Sequence, residues 1–216
     1  GGPTQTLALL PGSPAIDAGT ATSAPTTDQR GVLRPQGNAV DIGAFEYAPR
    51  TFYVNVATGN DTNDGTSVGT SFKTIAKSFL ASGTGDIIII AAGTYPENNL
   101  VISQSVSVRG AGVGQTIIDG KQLQRAFNVP VGVVATLSDL TITNGNAGNT
   151  ANGGGIENLG SLTISNCAIL NNNAAIGGGI YNLGILTITN CVVMGNNATN
   201  RGGAIENYSV LTMTGS

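Results

Sequence analysis

Few side chains in this sequence could do acid-base, metal or thiol chemistry, and their spacing says what each could do. There is no His, so no imidazole base or ligand. The stretch "GNDTNDGTS", Gly59 to Ser67, places Asp61 and Asp64 among amide and hydroxyl oxygens, a donor set that suits a hard cation such as calcium. It lacks the spacing of a helix-loop-helix calcium loop, and an Asx-rich turn without metal is the competing reading. Glu157 and Glu206 recur at one repeat position, with Tyr181 between them. If copies stack as rungs, the two carboxylates lie roughly 10 Å apart, near the wide end of a paired-carboxylate site. A solvated outer face is the plainer reading, because no aromatic stripe is evident in the repeats. Cys167 and Cys191 also share a slot, filled by Leu140 one copy earlier, so it points inward and two free buried thiols are expected.

The elements that carry these residues are set by an internal repeat. "GGGIENLGSLTISNCAILNNNAA", "GGGIYNLGILTITNCVVMGNNAT" and "GGAIENYSVLTMTGS" place Ile156, Ile180 and Ile205 at steps of 24 and 25 residues. Leu162 and Ile164, then Leu186 and Ile188, alternate with Thr163 and Thr187, the period-2 pattern of strands with one buried face. A unit of this length has no room for a helix and predicts short strands wound into a coil whose turns stack at about 4.8 Å. The fold class is therefore all-β: a right-handed parallel β-helix, a solenoid of about 24 residues per turn. Asn158, Asn182 and Asn207 should stack as an amide ladder at a corner. Upstream, "TSFKTIAKSFLASG" sets Phe72, Ile75, Phe79 and Leu80 at helical spacing, with Ser71 as N-cap and Gly83 as stop, and predicts a short N-terminal capping helix over the first coil.

Composition narrows the function classes. A net charge of -3 and a pI near 4.7 exclude the basic footprint of a nucleic-acid binder. No apolar run reaches the roughly 18 residues of a membrane span; the longest, "IIIIAA" from Ile87, reads as a buried strand. Two units are expected, residues 1–50 and 51–216, joined at "YAPRT", Tyr47 to Thr51.

Phe52 to Ile102, with "TIIDG" and "LSDLTITNG", resembles the amino-terminal entry of secreted bacterial right-handed β-helix proteins. The Gly-Gly-x-Ile repeats resemble those of polymorphic outer-membrane proteins, with Leu170 and Asn173, then Met194 and Asn197, at the matching positions. "GGPTQTLALLPGSPAIDAG" through "TDQRGVLRPQGNAVDIGAFEY" is similar to the carboxy-terminal close of the same broad group, the choice-of-anchor proteins. The resemblance implies a secreted, extracellular or cell-surface protein. An ending-like segment thus precedes a beginning-like one, while the sequence stops within a repeat at "LTMTGS".

The expectation from this order is a structural protein, not an enzyme, that binds other copies of itself head-to-tail in a filament or surface array. Thr6, Leu7, Leu9, Leu10, Ile16, Ala44, Phe45 and Tyr47 would supply strands to cover Leu211 and Met213 of the next subunit. A fragment of a longer tandem array is the competing explanation. The alternative function is a carbohydrate-binding or polysaccharide-cleaving β-helix engaging surface glycans. No cofactor is required by any of these readings beyond the calcium weighed above.

Overall fold

The computed structural model describes residues 6, 7, 9 and 13–216. From Thr51 onward the chain winds as a parallel β-helix. Its largest sheet stacks seven parallel strands in the order Thr51–Val54, Ile87–Ile90, Ser107–Arg109, Val134–Ser138, Ser161–Ser165, Ile185–Thr189 and Val210–Thr214. A second sheet stacks Leu100–Val101, Phe127–Val129, Ile156–Asn158, Ile180–Asn182 and Ile205–Asn207. The third stacks Gly93–Tyr95, Thr116–Asp119, Thr141–Thr143, Ala168–Leu170 and Val192–Met194. Asn173–Ile176 and Asn197–Arg201 pair at an added face. Each turn visits the first sheet, then the third, then the second, for about five turns.

The register follows the sequence repeat residue for residue. Leu162 lies against Leu186 and Leu186 against Leu211, as Ile164 does against Ile188 and Ile188 against Met213. Inward side chains from all three sheets, among them Ile118, Phe127, Leu137, Ile142, Ile156 and Ile164, form one continuous buried column. Cys167 and Cys191 sit in it as free thiols, 1% and 4% exposed. Their thiols donate to the carbonyls of Ser165 and Thr189 at 3.1 and 3.2 Å.

Polar ladders hold the corners. Asn158 Nδ2 donates to Asn182 Oδ1 at 2.6 Å, and Asn182 Nδ2 to Asn207 Oδ1 at 2.7 Å. A second amide ladder, not anticipated from the sequence, runs through Asn172, whose Nδ2 donates to Asn196 Oδ1 at 3.0 Å. Asn166 and Asn190 take left-handed φ values of 51° and 52° where the chain turns out of the first sheet, a conformation Asn tolerates better than most residues.

The capping helix is present but shorter than the hydrophobic spacing predicts. It spans Ile75–Ala81, with Thr74 as N-cap accepting from Lys77 N–H and Ser82 as C-cap. Phe72 lies outside it, bridged in parallel to Val54 and stacked on Phe52 at 5.7 Å. Leu80 is 83% exposed, so its place in the apolar pattern was misleading. The Glu97 carboxylate accepts from the Ile75 and Ala76 N–H groups, and that claim on the helix start moves the cap downstream of Ser71.

Residues 13–47 contain almost no ladder bonding; Thr27 and Leu33 form a single antiparallel bridge. Carboxylates replace it. Asp28 accepts from Arg30, Val32 and Glu46 N–H, Asp41 from Asp17 and Tyr47 N–H, and Glu46 from Gln36 and Asp41 N–H. At the joint, the fully buried Asp86 accepts from the Tyr47 hydroxyl at 2.9 Å and from Arg50 N–H at 2.7 Å. Ala44 to Tyr47 forms no strand within the chain, because the Glu46 and Tyr47 N–H groups bond to the carboxylates of Asp28 and Asp41.

Candidate functional site

The richest set of outward-facing polar and aromatic groups lies on the second sheet. In "IEN" and "IYN" the outer residues point inward and the middle one outward, so Val101, Asn128, Glu157, Tyr181 and Glu206 form one external ladder. Arg125 pairs with the Glu157 carboxylate, to which Asn128 Nδ2 also donates at 2.9 Å. Burial of Arg125 pushes its guanidinium below the ordinary value. On the far side, Tyr181 and Tyr208 meet edge to face, ring centres 5.7 Å apart. Arg201 donates to the Tyr208 hydroxyl at 2.6 Å, lies 5.8 Å from its ring, and approaches Glu206 at 3.9 Å. Beside Arg125 a groove of about 330 Å³ opens between Asn99, Leu123, Gln124 and Asn146.

The ladder therefore carries an aromatic pair flanked by two carboxylates, each with an Arg partner. That adds Tyr208 to a face on which the sequence places Tyr181 alone, without an aromatic stripe. Tyr208 was missed because it occupies the slot of Leu159 and Leu183, one step past the ladder; only stacking brings it onto Tyr181. The repeat alignment already held the signal, since Leu to Tyr at that slot adds an aromatic next to another.

The other sequence-predicted residues fall elsewhere. Asp61 accepts from Lys73 N–H, Thr74 N–H and the Thr74 hydroxyl. Burial raises its pKa, but these donors outweigh it and hold the carboxyl below its ordinary value. Asp64 accepts from Thr66 N–H and from the hydroxyls of Thr66 and Thr70, which lower it. The two carboxylates thus serve separate parts of the loop, and among the described residues no group of three or more acidic, His or Cys side chains is placed to share a metal. Thr6, Leu7 and Leu9 line a groove of about 360 Å³ with Ala44 and Phe45. Leu10 lies outside the described residues. Ile16 is half-buried in a turn, and Tyr47 is buried at the joint. Leu211 and Met213 line a groove of about 440 Å³ with Cys191 and Ile205 on the last coil. Six strand spacings, about 29 Å, separate the Thr51–Val54 strand from Val210–Thr214, so the two expected halves of an assembly interface stand at opposite ends of the sheet.

No family model matches the sequence, and no curated protein matches it. Among solved structures the chain is similar to pectin methylesterase PemA from Erwinia chrysanthemi, at 14% identity and a TM-score of 0.48, over 67% of this chain and 55% of that one. It is similar also to a pectin methylesterase in complex with a hexasaccharide, at 14% identity and a TM-score of 0.46, again over 67% and 55%. A rhamnogalacturonan lyase matches at 17% identity and a TM-score of 0.47, over 72% of this chain and 44% of that one. The chain thus spans about half the length of the structures it matches, and at this identity what they share with it is the parallel β-helix. These neighbours are enzymes, and they overturn the expectation of a protein that is not one. No helix among the described residues is long and apolar enough to cross a membrane.

Proposed function

We propose that this chain is a secreted β-helix that engages a polysaccharide along the outer ladder of the second sheet, as a carbohydrate-binding or carbohydrate-cleaving protein. The Tyr181–Tyr208 pair carries the reading. Aromatic rings offer sugar C–H faces a large apolar surface at little rotamer cost, while Asn128, Glu157, Arg201 and Glu206 supply the few directed polar groups that orient a hydroxylated ligand. Successive rungs present these groups in a line parallel to the helix axis, so an extended chain of sugars meets equivalent positions one after another.

The test is affinity electrophoresis and a reducing-sugar assay against a panel of neutral and acidic polysaccharides. Retardation by at least one of them is expected, and Tyr181→Ala should weaken it about tenfold, the loss of one good aromatic contact. Absence of retardation across the panel, or a Tyr181→Ala variant that binds in full, refutes the reading.

A further inference from the structure

The first sheet carries a second outer surface of a different kind. Across its last four strands the register is one-to-one over five residues without a bulge. Thr136, Thr163, Thr187 and Thr212 fall in one outward file, and Ser138, Ser165, Thr189 and Thr214 in the next. All eight side chains are half-buried or exposed. Some hydroxyls elsewhere are put to structural use, as where Thr116 Oγ1 donates to Ala91 O in the coil or Ser78 Oγ to Ile75 O in the capping helix. Among the described residues no protein group hydrogen-bonds to the hydroxyls of these eight. A third file, Val134, Ser161, Ile185 and Val210, borders them with methyl groups, its apolar members 52 to 60% exposed. None of these twelve positions is charged or aromatic.

The array is regular in two dimensions. Neighbours within a file are about 4.8 Å apart, and the two hydroxyl files are about 6.7 Å apart, two residues along a strand. Leu137, Ile164 and Ile188 lie between them on the core side at 0% exposure, so the spacing is set by the packed column behind it.

We infer that this face binds ice. A single hydroxyl gains little from trading one water partner for another, because liquid water serves it equally well. A ligand whose own oxygen atoms repeat on a lattice of similar scale engages all eight at once, and a face already fixed by its core loses no freedom in doing so. The interleaved methyl groups restrict the orientations of adjoining water and favour an ordered layer. A polysaccharide ligand would draw on aromatic and charged groups; on this sheet Arg109 stands one strand beyond Ser138, outside the array, and the aromatic pair stands on the other sheet. The inference is independent of the polysaccharide reading, since the two faces share no residue.

The experiment grows an ice hemisphere slowly from a solution of the full chain and an inert protein of similar mass, and measures thermal hysteresis in parallel. Enrichment of the chain in the ice and a measurable hysteresis gap are expected. Thr163→Lys and Thr187→Lys, each placing a charge at the centre of the array while leaving the core untouched, should cut both signals at least twofold with unchanged circular dichroism and melting. If a lysine variant fails to fold, a variant combining Thr136→Val, Thr163→Val, Thr187→Val and Thr212→Val, which deletes one whole hydroxyl file and keeps the shape, should show the same loss. Exclusion of the wild-type chain from ice overturns the inference, as do folded variants with full activity. Binding to crystalline cellulose that Thr187→Lys abolishes, with exclusion from ice, also overturns it and assigns the face to a polysaccharide sheet.

Discussion

Replacing Asn182 by Leu tests whether the amide ladder is a main source of stability or an ornament of the repeat. Asn182 is fully buried. Its Nδ2 donates to Asn207 Oδ1 at 2.7 Å, Gly184 O at 3.0 Å and Val210 O at 3.1 Å, and its Oδ1 accepts from Asn158 Nδ2 and Gly184 N–H. Leucine has the same branching and heavy-atom count but is larger and makes none of these bonds. Asn158 Nδ2 keeps the Ile185 carbonyl as a partner at 3.0 Å, so it is not orphaned. The Gly184 amide, half-buried, and the Val210 carbonyl, on the exposed last strand, lose a partner that water can in part replace. At about 0.5–1.5 kcal/mol for each hydrogen bond lost, and with some return from added apolar burial, the net loss is about 2–4 kcal/mol. For a chain of this length that lowers the thermal midpoint by roughly 10 °C. The assay is the melting of the β-sheet circular dichroism signal for the wild type, Asn182→Leu, Asn158→Leu and the double variant. Because the two amides share a bond, the double variant should cost less than the sum of the singles by at least about 0.5 kcal/mol. A fall below about 2 °C for Asn182→Leu, or strict additivity, refutes the reasoning.

The joint makes an alkaline prediction. Burial, reinforced by the Asp86 hydrogen bond, pushes the Tyr47 hydroxyl up to about 12 from 10.0. Its contribution is full below pH 10 and is lost as pH rises toward 12, and Tyr47→Phe should abolish that slope in a series of melts against pH. Residues 13–47 should fail in acid: burial raises the Asp28 pKa, but the N–H groups of Glu46, Val32 and Arg30 and the Arg30 side chain outweigh it and hold the carboxyl well below its ordinary value. That stability is full above about pH 4 and is lost as pH falls through the lowered value, so the Glu46 and Val32 amides should lose hydrogen-exchange protection in strong acid but not at pH 5. Ellman's reagent should find no reactive thiol in the native chain and two in denaturant; rapid native reaction would refute the inward slot for Cys167 and Cys191.

Much of the coil is legible in the sequence because stacking converts a linear repeat into contacts. Once Ile156, Ile180 and Ile205 align, the residues between them align too apart from one extra residue taken up at a bulge, and the Asn158 ladder and the Cys slot follow without further assumptions. What resisted reading depends on groups that no repeat relates. Glu97, far along the chain, decides where the helix begins. In residues 13–47 the charged residues of a strand-poor segment point to pairing with one another and with the backbone, as found, but nothing in the sequence says which amide each carboxylate accepts. Asn172 and Asn196 lie in runs of Asn, "NNN" and "GNN", in which the sequence alone does not say which amide points inward. The polysaccharide candidate was half-legible: Glu157, Tyr181 and Glu206 share a slot, but Tyr208 joins them only across rungs.

The strict register has a consequence for how such a chain changes over generations. Because Gly153 to Ala175 and Gly177 to Thr199 present the same inward and outward residues at every step, an unequal exchange between their coding segments adds or removes one whole rung. The amide ladders then close over the gap, each Asn donating to the next as before, and the core column simply lengthens or shortens by about 4.8 Å. Outer files grow by the same increment. Length, and with it the number of equivalent positions on each face, is the property this architecture leaves free to vary by recombination, whereas a single extra residue is absorbed only at a bulge, as in the 25-residue step between Ile180 and Ile205, and within a regular strand would turn the buried set outward.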